Sequence, residues 1–152
     1  MNELTTCVEE YLQHHTPEFG SDPILARMLL DALVSSSPEG RAVSSDGSLY
    51  IFDGAVWNRV EHNDLISMAL LFDGLWLPGD KPKRLTVGLA KAQAVANTVL
   101  LIHEIKKDKF FNKVLPGVAD KNGFWVIDEF GAEMLEHSPD NLCTWAYDFE
   151  ID

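Results

Sequence analysis

An α+β fold is what the sequence predicts, as one compact domain with N-terminal helices, a central β-hairpin, a long helix and short C-terminal antiparallel strands. Three observations carry that expectation. Apolar residues recur at helical spacing over residues 4–14, 24–33 and 87–105, two strand-like aromatic runs flank an Asp-Gly pair near residue 53, and shorter strand-like runs follow residue 123.

In the first helix the stripe is Leu4, Cys7, Val8, Tyr11 and Leu12, and Thr16-Pro17 ends it because a residue before proline is pushed out of the α region. The second is expected to be capped by Ser21 or Asp22, with Pro23 in its first turn and Ile24, Leu25, Met28, Leu29 and Leu33 as its apolar face. Ser35 to Gly40 reads as a loop and an internal linker. Residues 1–40 thus form a helical section, and 41–152 an α+β domain expected to pack with it as one unit. Leu49 to Phe52 and Ala55 to Val60 are the two arms of the hairpin. Asp53-Gly54 between them suits the positive φ angles of a tight primed turn.

A third helix, capped by Asn63 or Asp64, carries Leu65, Ile66, Met68, Ala69 and Phe72 and closes at Asp73-Gly74. Leu75 to Arg84 is read as a loop with a basic tip. Thr86 is expected to cap the long helix, Val87 to Ile105, placing Lys106, Lys107 and Lys109 at its end, where cations favourably oppose the helix dipole. Asn122-Gly123 turns into a strand at Phe124 to Ile127, and Met134-Leu135 and Thr144 to Tyr147 are shorter strands.

Composition narrows function. Apolar residues make up 46 % and charged residues 24 %, as in an average globular protein. No apolar run reaches the roughly 18 to 20 residues of a membrane helix, and residues 1–6 lack the features of a secretory signal. Cys7 and Cys143 have neither metal-ligand spacing nor a disulfide count, which predicts reduced thiols and a cytoplasmic location. The net charge of −12 argues against phosphate binding, but it is split. Residues 81–121 hold nine basic side chains against three acidic ones, a local +6. The remainder holds three against twenty-one, −18. The basic stretch reads as solvated faces or, more sharply, as a patch that meets DNA or the acidic face of a neighbouring subunit.

Catalytic motifs are missing. The fragment nearest to a phosphate-binding loop, Gly74 to Lys81, places Asp80 where the lysine belongs, and a carboxylate there would repel phosphate. His14, His15, His62, His103 and His137 form no metal motif, so neither a metal nor a nucleotide cofactor is expected. Of the four tryptophans, Trp57 and Trp125 lie in strand patterns and are expected in the core. Trp76 sits beside Lys81, Lys83 and Arg84, the one place where an aromatic interleaves with cations as in a single-strand binding surface. With Lys106, Lys107, Lys109 and Lys113 these are the candidate nucleic-acid-binding residues.

Pro116 to Asp128, then Glu133 to Asp140, then Thr144 and Tyr147-Asp148-Phe149, resemble the domain that precedes the superfamily 3 helicase domain in phage, plasmid and poxvirus primase-helicases. The resemblance covers residues 48–152 and rests on Asn122-Gly123 leading a strand and on His137-Ser138-Pro139 before the Tyr-Asp-Phe ending, both turn chemistry with a structural role. Asp120 departs from it, standing where the family has an apolar residue. The resemblance implies a non-catalytic accessory module that assists helicase assembly or guides DNA. Its partners would be an ATPase domain, in the same or a neighbouring chain and expected just beyond Asp152, together with DNA and further copies of itself. The alternative is a small acidic phage-encoded factor that binds a host protein or mimics DNA, which the net charge favours and the basic middle opposes.

Overall fold

A computed structural model describes residues 2–113, 117–119, 124–128 and 131–135. The helical periodicities near the start of the chain become α1 (Asn2–His14) and α2 (Asp22–Val34). Ser21 is the extended residue before α2, and proline follows in the first turn, where its missing N–H costs nothing. Leu25, Ala26, Leu29, Leu30, Ala32 and Leu33 are buried, a broader face than the expected stripe, in which Ile24 and Met28 are only half-buried. The serines after α2 cap it. Ser35 and Ser36 donate their hydroxyls to the Ala32 and Leu33 carbonyls, two of the acceptors a helix end leaves open.

The central sheet has one strand more than expected. β1 (Ala42–Ser45), β2 (Ser48–Phe52) and β3 (Trp57–Val60) pair antiparallel in that order. The tight primed turn lies at Asp46-Gly47, not at Asp53-Gly54. Ser45 pairs directly with Ser48, and the two residues between have φ of 51° and 83°. At the expected site Phe52 pairs with Trp57 across a longer loop, whose shape is set by the Asp53 carboxylate. One of its oxygens accepts the N–H groups of Ala55 and Val56, both at 2.9 Å. Alternation gives the sheet two buried faces. Leu49, Ile51 and Val60 join the helices in the main core, while Val43, Phe52 and Trp57 form a second cluster with Tyr50, Phe110 and Phe111.

α3 (His62–Ala69) begins after Glu61, earlier than Asn63 or Asp64 would place it, and a 3-10 turn over Leu70–Phe72 extends it to Asp73-Gly74. The expected loop after it is a short antiparallel ribbon of β4 (Trp76–Leu77) and β5 (Lys83–Arg84). α4 (Leu89–Leu100) packs against α2 and α3; its cap is Gly88, not Thr86, and it stops well before Ile105. The reason for the early stop is tertiary. The buried Ser44 hydroxyl donates to the Leu100 carbonyl at 2.7 Å, and Ser44 then pairs through its backbone with Ile105 and Lys107, at 2.8 Å each, so residues 105–107 lie parallel along β1. A helical conformation there would forfeit those bonds.

β6 (Gly117–Ala119), β7 (Phe124–Asp128) and β8 (Gly131–Leu135) form an antiparallel meander in which Trp125 lies opposite Val118 and Met134. The expected strands at Phe124 to Ile127 and Met134-Leu135 are present within it; the one at Thr144 to Tyr147 lies outside the described residues. The architecture is α+β with small antiparallel sheets. No helix among the described residues is long and apolar enough to cross a membrane.

Candidate nucleic-acid interface

The β4–β5 ribbon is short in paired residues but well fastened. Leu85 donates its N–H to the Leu75 carbonyl and accepts that of Gly74, both at 2.7 Å, and the Asp73 carboxylate accepts the Val87 N–H at 2.8 Å. Alternation puts Leu75, Leu77 and Leu85 on one face, against the core. Gly20, in the connection between α1 and α2, lies so close that a Cβ there would come 2.7 Å from Leu85 Cδ1. The apolar face therefore anchors the ribbon and fixes what the other face presents.

That other face carries Trp76 opposite Arg84. Trp76 is 53 % exposed, and the Arg84 guanidinium carbon stands 4.6 Å from its ring centroid, a cation–π contact. Lys83, paired with Leu77, alternates to the leucine side of the ribbon and is exposed there, and Lys81 stands at the tip beyond Gly79. All three cations are exposed, and among the described residues none is in an ion pair. An open indole under Arg84, on a ribbon that carries two further exposed cations, can stack an unpaired base while the cations meet nearby phosphates.

The lysines after α4 differ. They do not stand at its C-terminus, because the helix ends at Leu100 and has no basic residue in its last turn. Lys106 is paired with Asp108 at 3.0 Å, and Asp108 also accepts the Asp46 N–H at 3.1 Å. The Lys106 ammonium, and after it that N–H, hold the Asp108 carboxyl below its ordinary value. Lys109, at a φ of 59°, returns its own N–H to the Asp46 carboxylate, and Phe110 donates to the Ser45 hydroxyl at 3.1 Å. Lys107 reaches over the Phe110 ring, 6.0 Å from its centroid. Part of this segment's charge serves to lock the chain onto the Asp46-Gly47 turn.

Trp76, Lys81, Lys83 and Arg84 are thus gathered on one ribbon. Lys106, Lys107 and Lys109 follow the far end of α4, whose 12 residues span about 18 Å. Lys113 ends a 3-10 turn over Phe110–Lys113, and its side chain lies outside the described residues. Asn122, Gly123, His137, Ser138 and Pro139 also lie outside them. The pairing of Trp76 with Arg84 was hidden in the sequence by the eight-residue separation, although prolines and a glycine between them signal a reversal. No cluster of three or more His, Cys, Asp or Glu suited to a metal occurs among the described residues. Compared with protein-family models, with curated proteins and with solved structures, the chain matches none.

Proposed function

We propose that this chain is a non-catalytic module of a phage- or plasmid-type DNA replication primase-helicase, and that the β4–β5 ribbon is the part of it that guides single-stranded DNA. The observation that carries the reading is the half-open Trp76 ring, braced by Arg84 at 4.6 Å, on a ribbon whose Lys81 and Lys83 are exposed and, among the described residues, in no ion pair. The resemblance over residues 48–152 supplies the replication context, in which an ATPase domain of the same or a neighbouring chain is the partner.

Fluorescence polarisation with a labelled oligothymidine tests it. Three phosphate contacts on a single strand predict a salt slope of about −2, so affinity falls roughly 20-fold between 50 and 200 mM salt. Trp76→Ala removes the stack, worth about 1–3 kcal/mol per base. Replacing Lys81, Lys83 and Arg84 together by Ala should weaken binding at least tenfold. If the unmodified chain fails to bind at 50 mM salt, where electrostatic affinity is greatest, the ribbon reading is overturned, and the acidic remainder of the chain becomes the better guide, towards a factor that binds another protein.

A further inference from the structure

A second surface stands apart from the ribbon, at the outer edge of β1. Ser44 pairs with residues 105–107 there, but the pairing stops at that bridge. The alternation that turns the Ser44 N–H to this edge turns the Ala42 N–H to it as well, one step beyond the last bond. Between that edge and residues 104–110 is a half-enclosed cleft of about 200 Å³. Its apolar lining comes from Val34, Ala42 and Ile105, and one wall is Phe110, packed edge-on against Trp57 at 5.4 Å between centroids. Gly40 borders the cleft as well, and its φ of 63° disfavours any side chain.

The polar lining has an uneven charge. Arg41 and Lys107 both border the cleft, and among the described residues neither is in an ion pair. Glu104 borders it too, but Arg27 holds it through two hydrogen bonds of 3.0 and 3.1 Å. Its own backbone N–H and then Arg27 keep that carboxyl ionised and below its ordinary range, so the pair contributes no net charge near neutrality. Two cations are left bordering a hollow whose lining is part polar and part apolar. Liquid water takes about 30 Å³ per molecule, so the hollow has room for six or seven waters, or for one ligand of roughly a dozen heavy atoms.

We propose that this cleft binds a compact organic anion, a carboxylate or phosphomonoester joined to a small apolar body, with the charged group between Arg41 and Lys107 and the body against Ile105 and Phe110. The Ala42 N–H is a third donor to the anion, and Val34, Ile105 and Phe110 give the apolar body its contacts. The site is independent of the ribbon, since its residues lie beyond the opposite end of α4.

Amide NMR titration of the full chain with four probes decides the matter: benzoate, phenyl phosphate, inorganic phosphate and benzyl alcohol. Benzoate and phenyl phosphate are expected to give saturable shifts at Ala42, Ile105, Lys107 and Phe110. Inorganic phosphate alone and benzyl alcohol should each bind at least tenfold more weakly than the molecule that joins both parts. Arg41→Gln and Lys107→Gln should each weaken benzoate at least fivefold, with Lys81→Gln leaving it unchanged. Shifts that fail to saturate and spread over all exposed lysines overturn the proposal, as does equal binding of inorganic phosphate. So does unchanged affinity in folded Arg41→Gln and Lys107→Gln. Should either variant fail to fold, the four titrations of the unmodified chain still decide the question. Loss of oligothymidine binding through the ribbon residues would leave this result untouched.

Discussion

The β4–β5 ribbon and the segment from Lys106 to Lys109 carry the same number of basic side chains, but in the second Lys106 is held in an ion pair and Lys109 is tied through its backbone N–H. In the ribbon, backbone bonds and the leucine face hold the structure together, and the cations are left to the solvent. In the later segment Lys106 holds Asp108, Asp108 holds the Asp46 turn, and the Lys109 backbone completes the clasp. Charge density along a chain therefore says little about charge available to a ligand. What decides is whether some other element needs the charge for folding.

The contrast is sharpest in the two tryptophans attached to these regions. Trp57, 1 % exposed, packs against Phe52, Phe110 and Phe111 beneath the lysine segment, whereas Trp76 is half open. Trp57→Ala is expected to cost about 3–5 kcal/mol, and Trp76→Ala to stay within about 0.5 kcal/mol, by urea denaturation. Similar losses in both would remove the distinction between a folding region and a binding region.

On binding the order reverses. Alanine at Lys81, Lys83 and Arg84 should weaken oligothymidine at least tenfold, about 1.4 kcal/mol, while alanine at Lys106 and Lys109 changes it less than about threefold. Equal losses would mean that both regions touch the strand.

Two smaller effects probe the clasp itself. Gly47, at a φ of 83°, should lose about 1 kcal/mol on replacement by Ala, seen as a lower urea midpoint. Asp108→Asn addresses its charge. The folded carboxyl lies below the ordinary value of 3.8, so its contribution is present above that pH and disappears as pH falls through the folded value. The stability gap between the native chain and Asp108→Asn should be open at pH 7 and close in acid. A gap that persisted unchanged in strong acid would assign it to packing.

The helices and the strands β2 and β3 were legible because their apolar periodicity is set by residues close in sequence, as in Leu25, Leu29 and Leu33 or in Leu49 and Ile51. β1 was not. Ala42-Val43-Ser44-Ser45 has one strong strand former, and its partners are chosen by the Asp46-Gly47 turn and by residues 105–107, more than 60 positions away. Asp-Gly pairs at 46, 53 and 73 look alike, and only the register of the flanking strands separates a primed turn from a loop shaped by the aspartate side chain. The end of α4 was misplaced for a related reason, because the Ser44 hydroxyl that ends it belongs to β1. At the candidate interface the residues could be named from local composition. That Arg84 lies over Trp76, and that Arg41 and Lys107 share a cleft, depends on pairings made across turns and strands.

The parallel bridge at Ser44 has a consequence for how this chain behaves in a crowded solution. An uncovered strand edge is a template on which a second molecule can add a strand and begin to aggregate. Here residues 105–107 occupy the middle of the β1 edge, and the single position left at Ala42 is too short to pair with a foreign strand. The molecule uses its own chain as the blocking strand on this edge, which stays closed only while a few residues after α4 remain in place.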